Sequence, residues 1–217
     1  MKRVGVALLC WILAGVAQAQ STVYSSGAPN LSTIWYGDAS DTSASQAAAE
    51  FTLGSAAVIN SINWWGGFTQ ANAASANDSF QLNIYSATGG TVGSLLATAN
   101  LGNATETATG RLIQSAPEYS YSASFASIAL GSGTYFIGIE RSGGPGTWGW
   151  ESANATAQSL EAVQGSTGAW LYNSGVNLAF SLLGTVSATP EVPTSLMWIF
   201  GAGAIGLFAR RRYRKTG

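Results

Sequence analysis

The stretch DSFQLNIYSA (78–87) places Phe80, Leu82 and Ile84 at every second position, with Ser79, Gln81 and Asn83 between them. A period of two is that of a β-strand with one buried face, whereas a helix would repeat its apolar positions every three or four residues. GTYFIGIERS (133–142) repeats the pattern through Tyr135, Ile137 and Ile139, and NLAFSLLGTV (177–186) through Leu178, Phe180 and Leu182. AAVINSINWW (56–65), LLATANLG (95–102), YSYSASFASIAL (119–130), TWGWES (147–152) and GAWLYN (168–173) are further candidate strands. The links SATGGTVGS, LGSGTY, RSGGPGT and QGSTGA supply the Gly, Ser and Pro that tight turns need. Eight or so short strands with such turns predict an all-β fold, an antiparallel two-sheet sandwich of jelly-roll type. Only DASDTSASQAAAEF (38–51) reads differently, its Ala and Ser content suiting a short helix or a loop.

The two ends carry other signals. MKRVGVALLCWILAGVAQAQ (1–20) has a basic start, an apolar run from Val4 to Val16 and a small-x-small Ala17-Gln18-Ala19, the pattern of a cleaved export signal over residues 1–19. At the other end, PEVPTSLMWIFGAGAIGLFARRRYRK (190–215) holds an uncharged stretch from Val192 to Ala209 followed by five of the chain's nine basic residues. As a helix that stretch would run roughly 27 Å, just short of the roughly 30 Å hydrocarbon core of a membrane. Pro193 suits its first turn, and Arg210, Arg211, Arg212 and the bases after them would stay on the cytoplasmic side, leaving residues 20–189 outside the inner membrane. The organisation expected is therefore an N-terminal signal peptide, one sandwich domain over 20–189, and a C-terminal segment over 190–217 with a transmembrane helix.

Composition narrows what the domain can do. Between Gln20 and Thr189 the only bases are Arg111 and Arg141, against nine acids, a net charge of −7. That balance disfavours nucleic acid, which is bound through clustered Lys and Arg. The chain has no histidine, and its one cysteine, Cys10, lies in the export signal. Ser-His-Asp and Cys-His nucleophilic sites and His/Cys zinc sites are thereby removed, as are disulfides within the mature chain. No cofactor or metal is expected. A carboxylate-dependent, glycosidase-like enzyme is the alternative, with Glu140 and Glu151 as its candidate pair, since IERSGGPGTWGWES (139–152) suits a hairpin that would bring them together. Asp38 and Asp41, or Asn77 with Asp78, offer oxygens to calcium but match no known loop spacing, and Asx-turns explain them as well.

Six tryptophans are the domain's most distinctive feature: Trp35, Trp64, Trp65, Trp148, Trp150 and Trp170. Trp64 and Trp65 are adjacent, so on a strand they point to opposite faces and cannot share a core. Trp148 and Trp150 share a face, either packed in the core or turned outward as a flat platform of the kind that stacks on sugar rings. The candidate ligand platform is thus Trp148, Trp150 and Trp65.

A Pro-Glu motif, a short membrane helix and an arginine cluster, in that order at the C-terminus, resemble the PEP-CTERM sorting signal of exopolysaccharide-producing Gram-negative bacteria. The resemblance covers about the last thirty residues. It implies export through signal peptidase, recognition by the membrane-embedded processing enzyme exosortase, and cleavage near Pro190 and Glu191. The usual order is Pro-Glu-Pro; here the second proline stands one place late, at Pro193. The body is also similar, over about residues 50–184, to sandwich passenger domains found upstream of this signal, through INWWGGF, FQLNIYS, GTYFIGIE, WGW and NLAFSLLG. The function expected is that of a non-catalytic protein of the cell surface or extracellular matrix. It would associate with extracellular polysaccharide, and its precursor would be held in the inner membrane.

Overall fold

The computed structural model describes residues 20–36, 46–68, 78–143, 146–154, 160–164 and 168–187. They form thirteen strands and, among the described residues, no helix. The strands are β1 (Ser21–Ser25), β2 (Pro29–Tyr36), β3 (Gln46–Leu53), β4 (Ala57–Phe68), β5 (Ser79–Thr88), β6 (Thr91–Gly102) and β7 (Thr105–Ile113). They continue with β8 (Ala116–Leu130), β9 (Gly133–Ser142), β10 (Trp148–Ala153), β11 (Leu160–Gln164), β12 (Trp170–Ser174) and β13 (Phe180–Val186). All paired strands for which a register is defined run antiparallel.

Two sheets result. Sheet A has β4 at its centre. On one edge β4 carries β8 and then β7; on the other it carries β13 with β1, and, over its last residues, β10 with β2. Sheet B follows the order β12-β11-β3-β9-β5-β6. The β5–β6 hairpin turns through Gly89 and Gly90, both at positive φ (60° and 76°) between the paired Thr88 and Thr91. That is the two-residue geometry whose twist matches its strands and which glycine adopts without a side-chain clash.

The expected inward positions are inward. Phe80, Leu82, Ile84, Ile137, Ile139, Phe180 and Leu182 are all fully buried, in one core between the sheets. Aromatic rings dominate its packing: Trp64 stacks on Tyr121 with centroids 5.3 Å apart, Phe80 meets Trp148 edge-on at 5.3 Å, and Trp150 meets Phe180 at 5.7 Å. A smaller apolar cluster of Ala48, Phe136 and Ala162 lies on the other face of sheet B, flanked by Tyr85, Val92 and Trp170.

Two expectations change. The Ala-rich end of 38–51 is neither helix nor loop but strand β3, between β11 and β9. The reason is burial on both faces: Ala47 and Ala49 lie in the main core and Ala48 in the outer cluster, so no polar residue marks an outward face. Sequence alternation also gave no sign of β7, a Thr-rich edge strand with most of its residues exposed. The export signal (1–19), the loop acids Asp38 and Asp41, Asn77, and the whole sorting segment with Pro190, Glu191, Pro193, Arg210, Arg211 and Arg212 lie outside the described residues. Among the described residues no helix is long and apolar enough to cross a membrane.

Candidate functional site

Strand β4 divides its two adjacent tryptophans between the two faces of sheet A, as the alternation of a strand requires. Trp64 is fully buried in the core, and Trp65 is half-buried on the outer face. Register then decides what surrounds Trp65. Across β4, β8 and β7 one row reads Trp65, Ser120, Thr107, and the next reads Asn63, Ser122, Thr105. These six residues, with Tyr121, line a shallow trough of about 200 Å³. Its apolar wall is the Trp65 indole, and Asn63, Thr105, Thr107, Ser120 and Ser122 bring hydroxyl and amide groups to it. Ser120 donates to the Thr107 carbonyl at 3.3 Å, and Asn63 reaches Ser181 Oγ only at 3.5 Å.

Beside the trough the next outward position on β8 is Glu118, opposite Gly67 on β4, which pairs in turn with Gly149 on β10. Neither glycine puts a side chain between Glu118 and Glu151, and each carboxyl group perturbs the titration of the other. Both residues are fully buried. Arg111 donates to both Glu118 oxygens, from Nε and Nη2, each at 2.6 Å, and Thr109 Oγ1 donates to Oε2. Burial pushes Glu118 up, but these donors outweigh it and hold its carboxyl below the usual range. Glu151 accepts from the Leu31 N–H at 2.8 Å through Oε1, while its Oε2 has no donor. Burial first, then the neighbouring Glu118, pushes Glu151 up to about 8. Glu151 is therefore the protonated member of the two near neutrality.

The platform expected at Trp148 and Trp150 is corrected. Both indoles are fully buried, because β10 lies between β2 and β4 and turns its tryptophans into the core. Trp150 Nε1 donates to the Ala179 carbonyl at 3.0 Å, which satisfies its polar edge inside. The carboxyl pair Glu140 and Glu151 is not brought together either. No β9–β10 hairpin forms: β9 belongs to sheet B and β10 to sheet A. Glu140 instead accepts from Asn83 Nδ2 at 2.7 Å. Asp78, offered as a calcium ligand, is buried against Arg141 Nη2 at 2.6 Å, so a guanidinium stands where a cation would have to be. Among the described residues no three acidic side chains converge as a metal site.

Of the platform candidates Trp65, Trp148 and Trp150, only Trp65 stands at an accessible polar surface. Its partners Asn63, Thr105, Thr107, Ser120 and Ser122 were missed. The signal for two of them was present in YSYSAS, where serines alternate with a tyrosine that packs inward, but their nearness to Trp65 depends on register. Comparison of the chain with protein-family models gives no match, and comparison with curated proteins gives none.

Proposed function

We propose that this protein is a non-catalytic, exported β-sandwich that contacts extracellular polysaccharide through the trough at Trp65. One observation carries the binding half of this reading: an indole beside five short polar side chains on the outer face of sheet A. A sugar ring has apolar C–H faces and a rim of hydroxyls. An aromatic face offers area to the first, and Ser, Thr and Asn offer donors and acceptors to the second. At about 200 Å³ the trough is smaller than the roughly 300–1,000 Å³ pockets that enclose drug-sized ligands, which suits surface contact with a unit of a polymer rather than capture of a free molecule. Absence of catalysis is supported by the separation of Glu140 from Glu151 and by the burial of Glu151 behind Arg111 and Glu118.

The handling half rests on the two ends of the sequence. An export signal over 1–19 and a PEP-CTERM-like segment over 190–217 imply signal peptidase and exosortase as processing partners, and the cell surface or matrix as destination. In the same proposal the sandwich is jelly-roll-like, and the precursor is anchored in the inner membrane by its C-terminal helix. The binding half is tested by affinity electrophoresis through the host's own exopolysaccharide. Trp65→Ala should weaken retention by about 1–3 kcal/mol, by analogy with aromatic stacking on bases, without lowering the melting temperature by more than a few degrees. Retention equal to that of the parent protein would remove Trp65 from the site.

A further inference from the structure

On the opposite side of β4 from the trough, where β1 meets β3 and β9, a larger cleft of about 480 Å³ opens, lined among others by Tyr24, Ser25, Glu50, Thr52, Thr134 and Asn154. Its walls are mostly polar, and no base is among them. Tyr24 is a fixed wall: its ring packs on Phe51 at 5.4 Å and on Phe180 at 5.3 Å. Thr52 and Thr134, opposite one another on β3 and β9, share a hydrogen bond of 3.0 Å and keep further donor and acceptor capacity.

Glu50 sets the cleft's chemistry. Among the described residues its carboxylate makes no hydrogen bond and no ion pair. Burial holds it above the usual carboxylate range, and burial, with Glu50 beside it, raises the Tyr24 phenol as well. A half-buried carboxylate that water still reaches, with no protein cation facing it, is open to a cationic partner from solvent. The two acid-bearing places described above differ in this respect, since Glu118 holds Arg111 and Asp78 holds Arg141. Hydroxyl groups and a phenol ring around a lone negative charge match a polyol with one positive group.

We propose that this cleft, which Tyr24 also lines, binds a saccharide unit bearing a free, protonated amino group, its ammonium on Glu50 and its hydroxyls on Thr52 and Thr134. This site is distinct from the trough at Trp65, and its ligand differs in charge. A metal ion would find one carboxylate here, where hard cations take six or more oxygens.

The test is calorimetric titration of the full chain in detergent micelles, at about pH 6 where amine and most carboxylates are charged. The probes are a glucosamine trimer and its fully N-acetylated counterpart. The free-amine trimer should bind, and the acetylated trimer should bind at least about tenfold more weakly, the loss of one charge-assisted contact. Glu50→Gln should weaken the free-amine trimer by a similar factor at an unchanged melting temperature. Trp65→Ala should leave this binding intact, and Glu50→Gln should leave retention on neutral polysaccharide intact, so the two sites fail separately. Equal binding of the two trimers, parental affinity in Glu50→Gln, or displacement of the trimer by millimolar calcium would overturn the assignment.

Discussion

Glu118 and Glu151 bring two carboxyl groups together where neither reaches water. Their environments push them apart: Arg111 and Thr109 hold Glu118 ionised, and Glu151, with one oxygen on the Leu31 amide, keeps its proton. Among the described residues Arg111 is the only base acting on the pair. The consequence for stability has a definite sign. A carboxyl whose folded-state value is raised, from 4.5 to about 8 at Glu151, favours the folded state while protonated. Its contribution is complete below about pH 4.5 and is lost as pH rises towards 8, at up to about 1.4 kcal/mol per unit. Glu118, held low, acts in the opposite sense, and its contribution is lost only on strong acidification. Chemical denaturation should therefore show stability falling between pH 5 and pH 8. Glu151→Gln, whose amide keeps the acceptor for Leu31, should make that fall shallower, leaving the part that Glu161, raised by burial to about 7, contributes in the same sense, and should make the variant the more stable protein at pH 8. A fall of the same slope in Glu151→Gln would place the titration elsewhere.

At the level of strands, β10 shows what alternation reveals and what it hides. WGW puts two tryptophans on one face of one strand, and that much is legible. Which face is inward depends on β10 joining β4 through Trp148↔Phe68 and Trp150↔Gly66, a pairing of residues about eighty positions apart. RSGGPGT carries every mark of a hairpin turn, yet the chain uses it to cross from sheet B to sheet A, so the reading of Glu140 and Glu151 failed with it. Strands with one buried face, such as β5 and β13, were plain from sequence. The Ala-rich β3 was not, because burial on both faces erases the alternation. The trough was half legible: Trp65 had to face away from Trp64, but its hydroxyl neighbours come from β7 and β8. The β4–β10 junction also explains a glycine. A Cβ on Gly66 would stand 2.4 Å from the Gly149 carbonyl oxygen and 2.8 Å from Trp148 Cζ2. Gly66→Ala should therefore cost about 1–3 kcal/mol in urea denaturation as overpacking. Gly54→Ala, with nothing within 4 Å, should change stability by less than about 0.5 kcal/mol. Equal effects of the two substitutions would mean that the junction is loose.

For the whole molecule, charge is divided by region: residues 20–189 hold nine acids and two bases, and five of the remaining seven bases stand after Ala209. If the ends served the domain's activity, the basic tail would belong with its binding chemistry. On the proposed reading the ends are membrane-handling devices, and removing both leaves a strongly acidic domain. Self-repulsion of like charge keeps such a domain soluble, and it would favour neutral or cationic glycans over anionic ones. The mature protein should therefore begin near Gln20 and end near Pro190. In a host that has the sorting machinery, intact-mass spectrometry should show loss of both ends, apart from any added glycan or anchor. In a host without it, the tail should persist and the protein should fractionate with the inner membrane, since an uncharged stretch of eighteen residues, Val192 to Ala209, ahead of an arginine cluster is a stop-transfer pattern. Replacing Pro190 and Glu191 by alanine should reproduce the uncut form in the native host, because the change alters the motif and spares the apolar stretch. Normal processing of that variant, or a soluble native form that keeps its tail, would leave the segment a plain membrane anchor and remove exosortase as a partner. The sandwich and its two clefts would stand unchanged, since every residue that lines them lies between Tyr24 and Asn177.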